Sequence, residues 1–178
     1  WTTTSSIHDI PHMTGRKPSS LTVASPQNAT YHHRVYVTMS GYNNPGIYYQ
    51  TDNAGPWTLL DGTGSNASAH GLPQVPVLSF AVHPHKDGVF YAGTMYGLYK
   101  GITQNGTTTW AEYDHEGVQG CMIHDLRFIK HAFDPIKHDS LSSILLVGTH
   151  GRGLWTINET YHDSDLNYDG TVDMEDLL

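Results

Sequence analysis

Charge is scarce in this chain, and basic charge is scarcer still. Asp, Glu, Lys and Arg make up 15% of 178 residues, and only 9 are Lys or Arg against 17 acids, for a formal net charge of −8. No basic cluster interrupts that balance, so nothing is available to neutralise a phosphate backbone, and nucleic-acid binding is not expected. Cysteine occurs once, at Cys121, which excludes an intrachain disulfide without deciding the compartment. Long apolar runs are missing as well. Nothing approaches the roughly 20 residues of a helical membrane span. No apolar stripe of 3.6-residue period runs far enough for a substantial helix. The 13 histidines are scattered, with no His-x-x-x-His pair on a helix and no Cys/His cluster of zinc spacing. A Gly-rich phosphate loop, a Gly-x-Ser-x-Gly motif and a Cys/His dyad are all absent.

What is present is turn chemistry and short β-formers. The chain is 38% hydrophobic and 11% aromatic, with 18 Gly and 9 Pro among many Thr, Ser, Asn and Tyr. That composition suits a β-rich extracellular protein, and the length suffices for one domain with a real core. Three segments read alike: Arg34-Val-Tyr-Val-Thr38, Gly88-Val-Phe-Tyr-Ala-Gly-Thr94 and Ile144-Leu-Leu-Val-Gly-Thr149. Tyr36, Tyr91 and Leu146 are 55 residues apart both times. Each segment is followed by a glycine and an apolar pair: Gly46-Ile-Tyr48, Gly97-Leu-Tyr99 and Gly153-Leu-Trp155. Each is preceded by an apolar strand ending near a proline: Leu21-Thr-Val23, Phe80-Ala-Val82 and Leu126-Arg-Phe-Ile129.

The unit therefore reads strand, turn, strand, tight turn, strand, with a fourth strand beginning at Trp57 and Trp110. Four antiparallel strands in a repeat of this length make one blade of a β-propeller. Trp1, Trp57 and Trp110 are spaced by 56 and 53, so Trp1 would open the fourth strand of a preceding blade. No fourth strand is expected after Gly153-Leu-Trp155. The expectation is an all-β chain of about three blades over residues 1–159, the C-terminal part of a longer, incomplete propeller. A polar linker is expected at 160–164.

Residues 165–178 spell a calcium loop. Oxygen side chains stand at loop positions 1, 3, 5, 9 and 12, as Asp165, Asn167, Asp169, Asp173 and Asp176. Gly170 occupies position 6, where the backbone turns sharply, and Thr171 at position 7 would offer its carbonyl. A hard cation takes six to eight oxygens, and this spacing lets one short loop supply most of them. Val172 at position 8 would point to the apolar side. Asp rather than Glu stands at position 12, and the short polar Tyr161-His-Asp-Ser164 precedes the loop in place of an amphipathic helix.

This pattern resembles the first calcium repeat of a dockerin, the module that attaches secreted polysaccharide-degrading enzymes to cohesin scaffolds. The resemblance implies calcium as the cofactor, a cohesin-type partner and a truncated EF-hand-like loop at 165–178. A second resemblance lies in the turns before the tryptophans, which are similar to Asp-box motifs. Gln50-Thr-Asp-Asn-Ala-Gly-Pro-Trp57 keeps Asp52 and Trp57 at the motif's spacing. Thr103-Gln-Asn-Gly-Thr-Thr-Thr-Trp110 places Asn105 in the Asp position. With the closing Val147-Gly-Thr-His-Gly-Arg-Gly-Leu-Trp155, the chain resembles the Asp-box propellers of sialidase-like, xyloglucanase-like and sortilin-like proteins. In that group the Asp box is a structural turn, which implies no catalytic role for Asp52 or Asn105, and cores built on Trp57 and Trp110.

Two constellations are candidates for chemistry. His150 and Arg152 share the glycine-flanked turn Thr149-His-Gly-Arg-Gly153, where they would bind a sugar hydroxyl or carboxylate or, alternatively, pin the hairpin. Ile7-His-Asp-Ile10 and Ile123-His-Asp-Leu126 repeat a His-Asp pair. Asp9 and Asp125 would be the repeat-related carboxylates for an inverting glycosidase, or else strand-end caps. Only four arginines occur (Arg16, Arg34, Arg127, Arg152), and their spacing suggests no three-arginine carboxylate clamp. The catalytic residues of any hydrolase are left unassigned. The sequons at Asn28, Asn66, Asn105 and Asn158 are silent if the source is bacterial, as the dockerin resemblance implies. The expected function is polysaccharide degradation by a secreted modular protein, as a glycoside hydrolase or a carbohydrate-binding propeller. The rival is a non-catalytic scaffold that binds proteins.

Overall fold

The structure is a computed structural model that describes residues 10, 15–24, 34–43, 46–51, 56–60, 71–113, 118–130 and 140–162. These form eleven strands and no helix. The first sheet holds β1 (Pro18–Ala24), β2 (Arg34–Met39), β3 (Ile47–Thr51) and β4 (Thr58–Leu59). The second holds β5 (Val77–Val82), β6 (Val89–Thr94), β7 (Leu98–Gln104) and β8 (Thr107–Glu112). The third holds β9 (Ile123–Lys130), β10 (Ser140–Thr149) and β11 (Gly153–His162). Each is an antiparallel meander in chain order, with four, four and three strands. Hairpins separated by Gly, Asn and Pro can close only between chain neighbours, so every pairing is local in sequence.

The 55-residue period is written into the hydrogen bonding. In each sheet one residue of the first strand bulges out of register, at Ser19, Leu78 and His124. The residues opposite the resumed ladder are Thr38, Gly93 and Gly148, again 55 apart. The N–H groups of Ser40, Met95 and His150, spaced identically, donate to the carbonyls of Lys17, Pro76 and Met122 at 2.9, 3.2 and 2.9 Å. Each of those carbonyls belongs to the residue just before a first strand.

The sheets stack front to back. The front of the first sheet meets the rear of the second in a core of Tyr36, Ile47, Phe80, Phe90, Ala92 and Trp110. The front of the second meets the rear of the third through Val89, Tyr91, Leu98, Leu126, Leu145, Val147 and Ile157. The connections between sheets plug the seams, with Leu60 and Leu72 in one and Val118 and Cys121 in the other. Ile10 does the same on the rear of the first sheet, against Val37, Met39 and Tyr48. First strands lie beside first strands, tied by side chains. Thr22 Oγ1 donates to Phe80 O at 2.9 Å, Ser19 Oγ to Val77 O, and Ser79 Oγ to Ile123 O at 3.5 Å. At Gly93 a Cβ would fall 2.7 Å from Ile123 Cγ2, so glycine is what lets β9 approach so closely.

Two expectations need adjustment in detail. Trp110 lies in the middle of β8 rather than at its start, because the Asn105-Gly106 turn begins the strand at Thr107. That turn has two residues with φ of 50° and 78°, the left-handed pair that closes a tight hairpin. Asn105 is thus a turn residue through its backbone. The last strand runs ten residues to His162, past Gly153-Leu-Trp155, paired with β10 as far as Ser140. Trp155, Ile157 and Glu159, alternating with Thr156 and Asn158, carry the two-residue period on to Glu159.

Candidate functional site

One edge of the molecule gathers the turns between second and third strands, described at residues 40–43, 95–97 and 150–152. Their equivalent backbone anchors, just given, set the three tips in corresponding places. The tips carry different side chains. Tyr42 and Tyr96 are half exposed, at 50% and 56%, and lie near enough for each hydroxyl to feel the other. Tyr96 is held by its own turn, its N–H donating to Thr94 Oγ1 at 3.1 Å while that hydroxyl donates to Gly97 O at 2.9 Å. Thr149 repeats the device, donating to Gly153 O at 2.7 Å. Gly151 and Gly153 have φ of 85° and 82°, so the Thr149–Gly153 turn depends on residues without a Cβ.

The third tip brings together the two constellations that the sequence singled out separately. His124, the bulged residue of β9, and His150 face each other with ring centroids 5.7 Å apart. Both are exposed. Arg152 lies on the same turn, and its Nη1 donates to Gln119 O at 2.9 Å, tying the turn to the connection before β9. Trp155 Nε1 closes over it, donating to Arg152 O at 3.0 Å. Arg152 therefore pins the hairpin and still lies exposed at the tip. Asp125 is exposed and paired with Arg127 at 3.0 Å, with side-chain exposures of 60% and 75%.

The opposite edge of the first seam holds a cavity of about 600 Å³, lined by Arg34, Tyr36, Tyr49, Phe90 and several threonines. The Arg34 guanidinium stands 5.7 Å from the Tyr49 ring centre. Burial raises the Tyr36 hydroxyl pKa, while Arg34 beside it works the other way. The second seam holds a buried polar cluster instead. Glu159, 7% exposed, accepts hydrogen bonds on one oxygen from Tyr91 and, at 3.1 Å, from Tyr113. Its other oxygen lies 3.5 Å from Lys100 Nζ. Burial, followed by the Glu159 charge, raises both tyrosine pKa values, so both hydroxyls stay protonated donors.

Of the residues nominated from sequence, His124, Asp125, His150 and Arg152 share one edge. His8, Asp9, Asp52 and the calcium-loop residues Asp165, Asn167, Asp169, Thr171, Asp173 and Asp176 lie outside the described residues. Trp110 is in the core, 5% exposed, and Trp57 packs against the cluster of Ile10 and Tyr48. Among the described residues no group of three or more His, Cys, Asp or Glu side chains could hold a metal, and no helix is long and apolar enough to cross a membrane. Sequence reasoning passed over Tyr42, Tyr96 and Glu159. An aromatic in the second turn of two successive repeats was the available signal for the tyrosines. Glu159 gave none, because its partners are 46 to 68 residues away. No family model, no curated protein and no solved structure matches this chain.

Proposed function

We propose that this chain is a glycan-binding propeller module of a secreted, bacterial polysaccharide-degrading protein. In this reading the three sheets are Asp-box blades, and the turn edge is the face that meets the polysaccharide. The observation that carries it is the exposed Tyr42–Tyr96 pair on that edge, in line with His150 and Arg152. Sugars are recognised by aromatic faces against their C–H surfaces and by polar groups against their hydroxyls, and this edge offers both. With Asp125 solvated and ion-paired, binding is a better reading of these residues than hydrolysis.

Residues 165–178 would bind calcium through Asp165, Asn167, Asp169, Thr171, Asp173 and Asp176 as a dockerin-type loop, for attachment to a cohesin. The rival reading, a protein-binding scaffold, is favoured by the front of the third sheet, where Ile129 and Leu154 stand 46% and 68% exposed. Affinity electrophoresis through soluble xyloglucan, β-glucan and sialylated glycan separates the two. Retardation that is lost in Tyr42→Ala and in Tyr96→Ala supports glycan binding. Unretarded migration in every polysaccharide, or retardation indifferent to both changes, overturns it. For the loop, titration calorimetry with calcium is expected to give heat that disappears when Asp165 and Asp169 are both changed to Ala.

A further inference from the structure

We propose that His124 and His150 together bind a divalent transition-metal ion, of the imidazole-preferring kind such as Cu(II), Ni(II) or Zn(II). Their rings stand 5.7 Å apart between centroids, inclined at 53°. Two imidazoles on one ion, each with a metal–nitrogen bond of about 2.0–2.1 Å, place their centroids about 5 Å apart at the tetrahedral angle of Zn(II) and about 4.5 Å apart at the right angle that Cu(II) and Ni(II) favour. Both side chains are exposed, so each can rotate to bring one ring nitrogen onto a shared ion. Among the described residues neither ring has a hydrogen-bond partner, so ligation breaks no bond among them.

The backbone holds both residues in place. His124 is the extra residue of a bulge, a device that re-aims one side chain out of the regular alternation. His150 is fixed by its N–H bond to Met122 O, 2.9 Å, two residues before His124. The fold does not itself require imidazoles there. The corresponding pairs are Ser19 with Ser40 in the first sheet and Leu78 with Met95 in the second, on the same bulge and the same anchoring bond. Polar, apolar and imidazole pairs all satisfy this geometry, so the histidines are free to serve a ligand. Neutral imidazole is the ligating form, and exposure lets water complete the coordination shell.

The test is Cu(II) titration of the whole chain, followed by calorimetry and by electron paramagnetic resonance, in wild type, H124Q, H150Q and the double variant. The expected result is one high-affinity equivalent with superhyperfine coupling to two nitrogens, weakened at least tenfold in each single variant. The double variant loses no more than that one equivalent. Binding and nitrogen coupling that are unchanged in either single variant overturn the proposal. So does a double variant that loses two equivalents, because the histidines would then be acting separately.

Discussion

The two seams between sheets occupy equivalent places in the repeat and are filled by opposite chemistry. The first is aromatic. Tyr36, Phe80 and Phe90 have ring centroids 5.0 to 5.7 Å apart, and Trp110 covers Gly101 and donates to Leu60 O at 3.1 Å. The second also has an apolar core, but a carboxylate, an ammonium and two phenols are set into it. His83 lies at its side, 5.1 Å from the Phe128 ring. A repeat fixes backbone spacing and the direction of alternate side chains, and little else. Provided volume is filled and polar atoms are paired, an apolar and a polar solution both close the gap. They should differ in what breaks them.

The largest effect is expected at the apolar seam. Trp110→Ala removes a ring packed on a glycine that leaves room for it, and should cost about 3–5 kcal/mol in chemical unfolding. Next comes the polar seam. Glu159→Leu strands two tyrosine hydroxyls and a lysine that is 21% exposed. Because Lys100 can turn toward water, the cost should be about 2–3 kcal/mol, below the 3–5 kcal/mol range for a fully buried pair. Changing Lys100 to Leu in that background should recover part of the loss, and a double-mutant cycle on the pair measures the coupling. No coupling would mean that the seam is held by its apolar residues alone.

The third prediction is about pH and separates the seams by mechanism. His83 Nδ1 accepts the N–H groups of His85 and Lys86 at 3.1 and 3.0 Å. Burial, helped by the nearby Lys86 charge, lowers its pKa to about 3. Above the ordinary imidazole pKa of about 6.5 both folded and unfolded chains hold it neutral, and its contribution is fully present. As pH falls from there toward 3, the unfolded chain takes up a proton that the folded one refuses, and stability is lost by at most about 1.4 kcal/mol per unit. In denaturant titrations between pH 6.5 and 4.5, His83→Gln should flatten this slope, while Trp110→Ala should leave it unchanged. A smaller effect still is expected from the exposed Asp125–Arg127 pair, where Arg127→Ala should change stability by about 0–1 kcal/mol.

Much of the fold was legible because hairpins are local. The alternation in Arg34-Val-Tyr-Val-Thr38 and its two counterparts marks β2, β6 and β10, and the glycines mark the turns that follow. Trp110 misled by three residues because an Asn-Gly turn stood closer to the strand start than the tryptophan did. The edge site was half legible. His124 and His150 each stood out by motif, yet 26 residues separate them, and no spacing rule joins a bulge to a turn. Glu159 was invisible, since a lone acid among polar residues reads as solvent-facing until its partners are in place.

By itself the sequence determined strand identity, turn positions, the 55-residue period and the antiparallel pairing of neighbours. All of these follow from torsional preference and two-residue alternation within a short stretch of chain. Tertiary structure alone decided that Tyr91 and Tyr113 share one carboxylate, that His124 meets His150, and which aromatic rings fill the first seam. Those contacts join residues on different sheets, or a bulge to a turn through the β9–β10 ladder, where distance along the chain carries no information and the assembled strands set the neighbours.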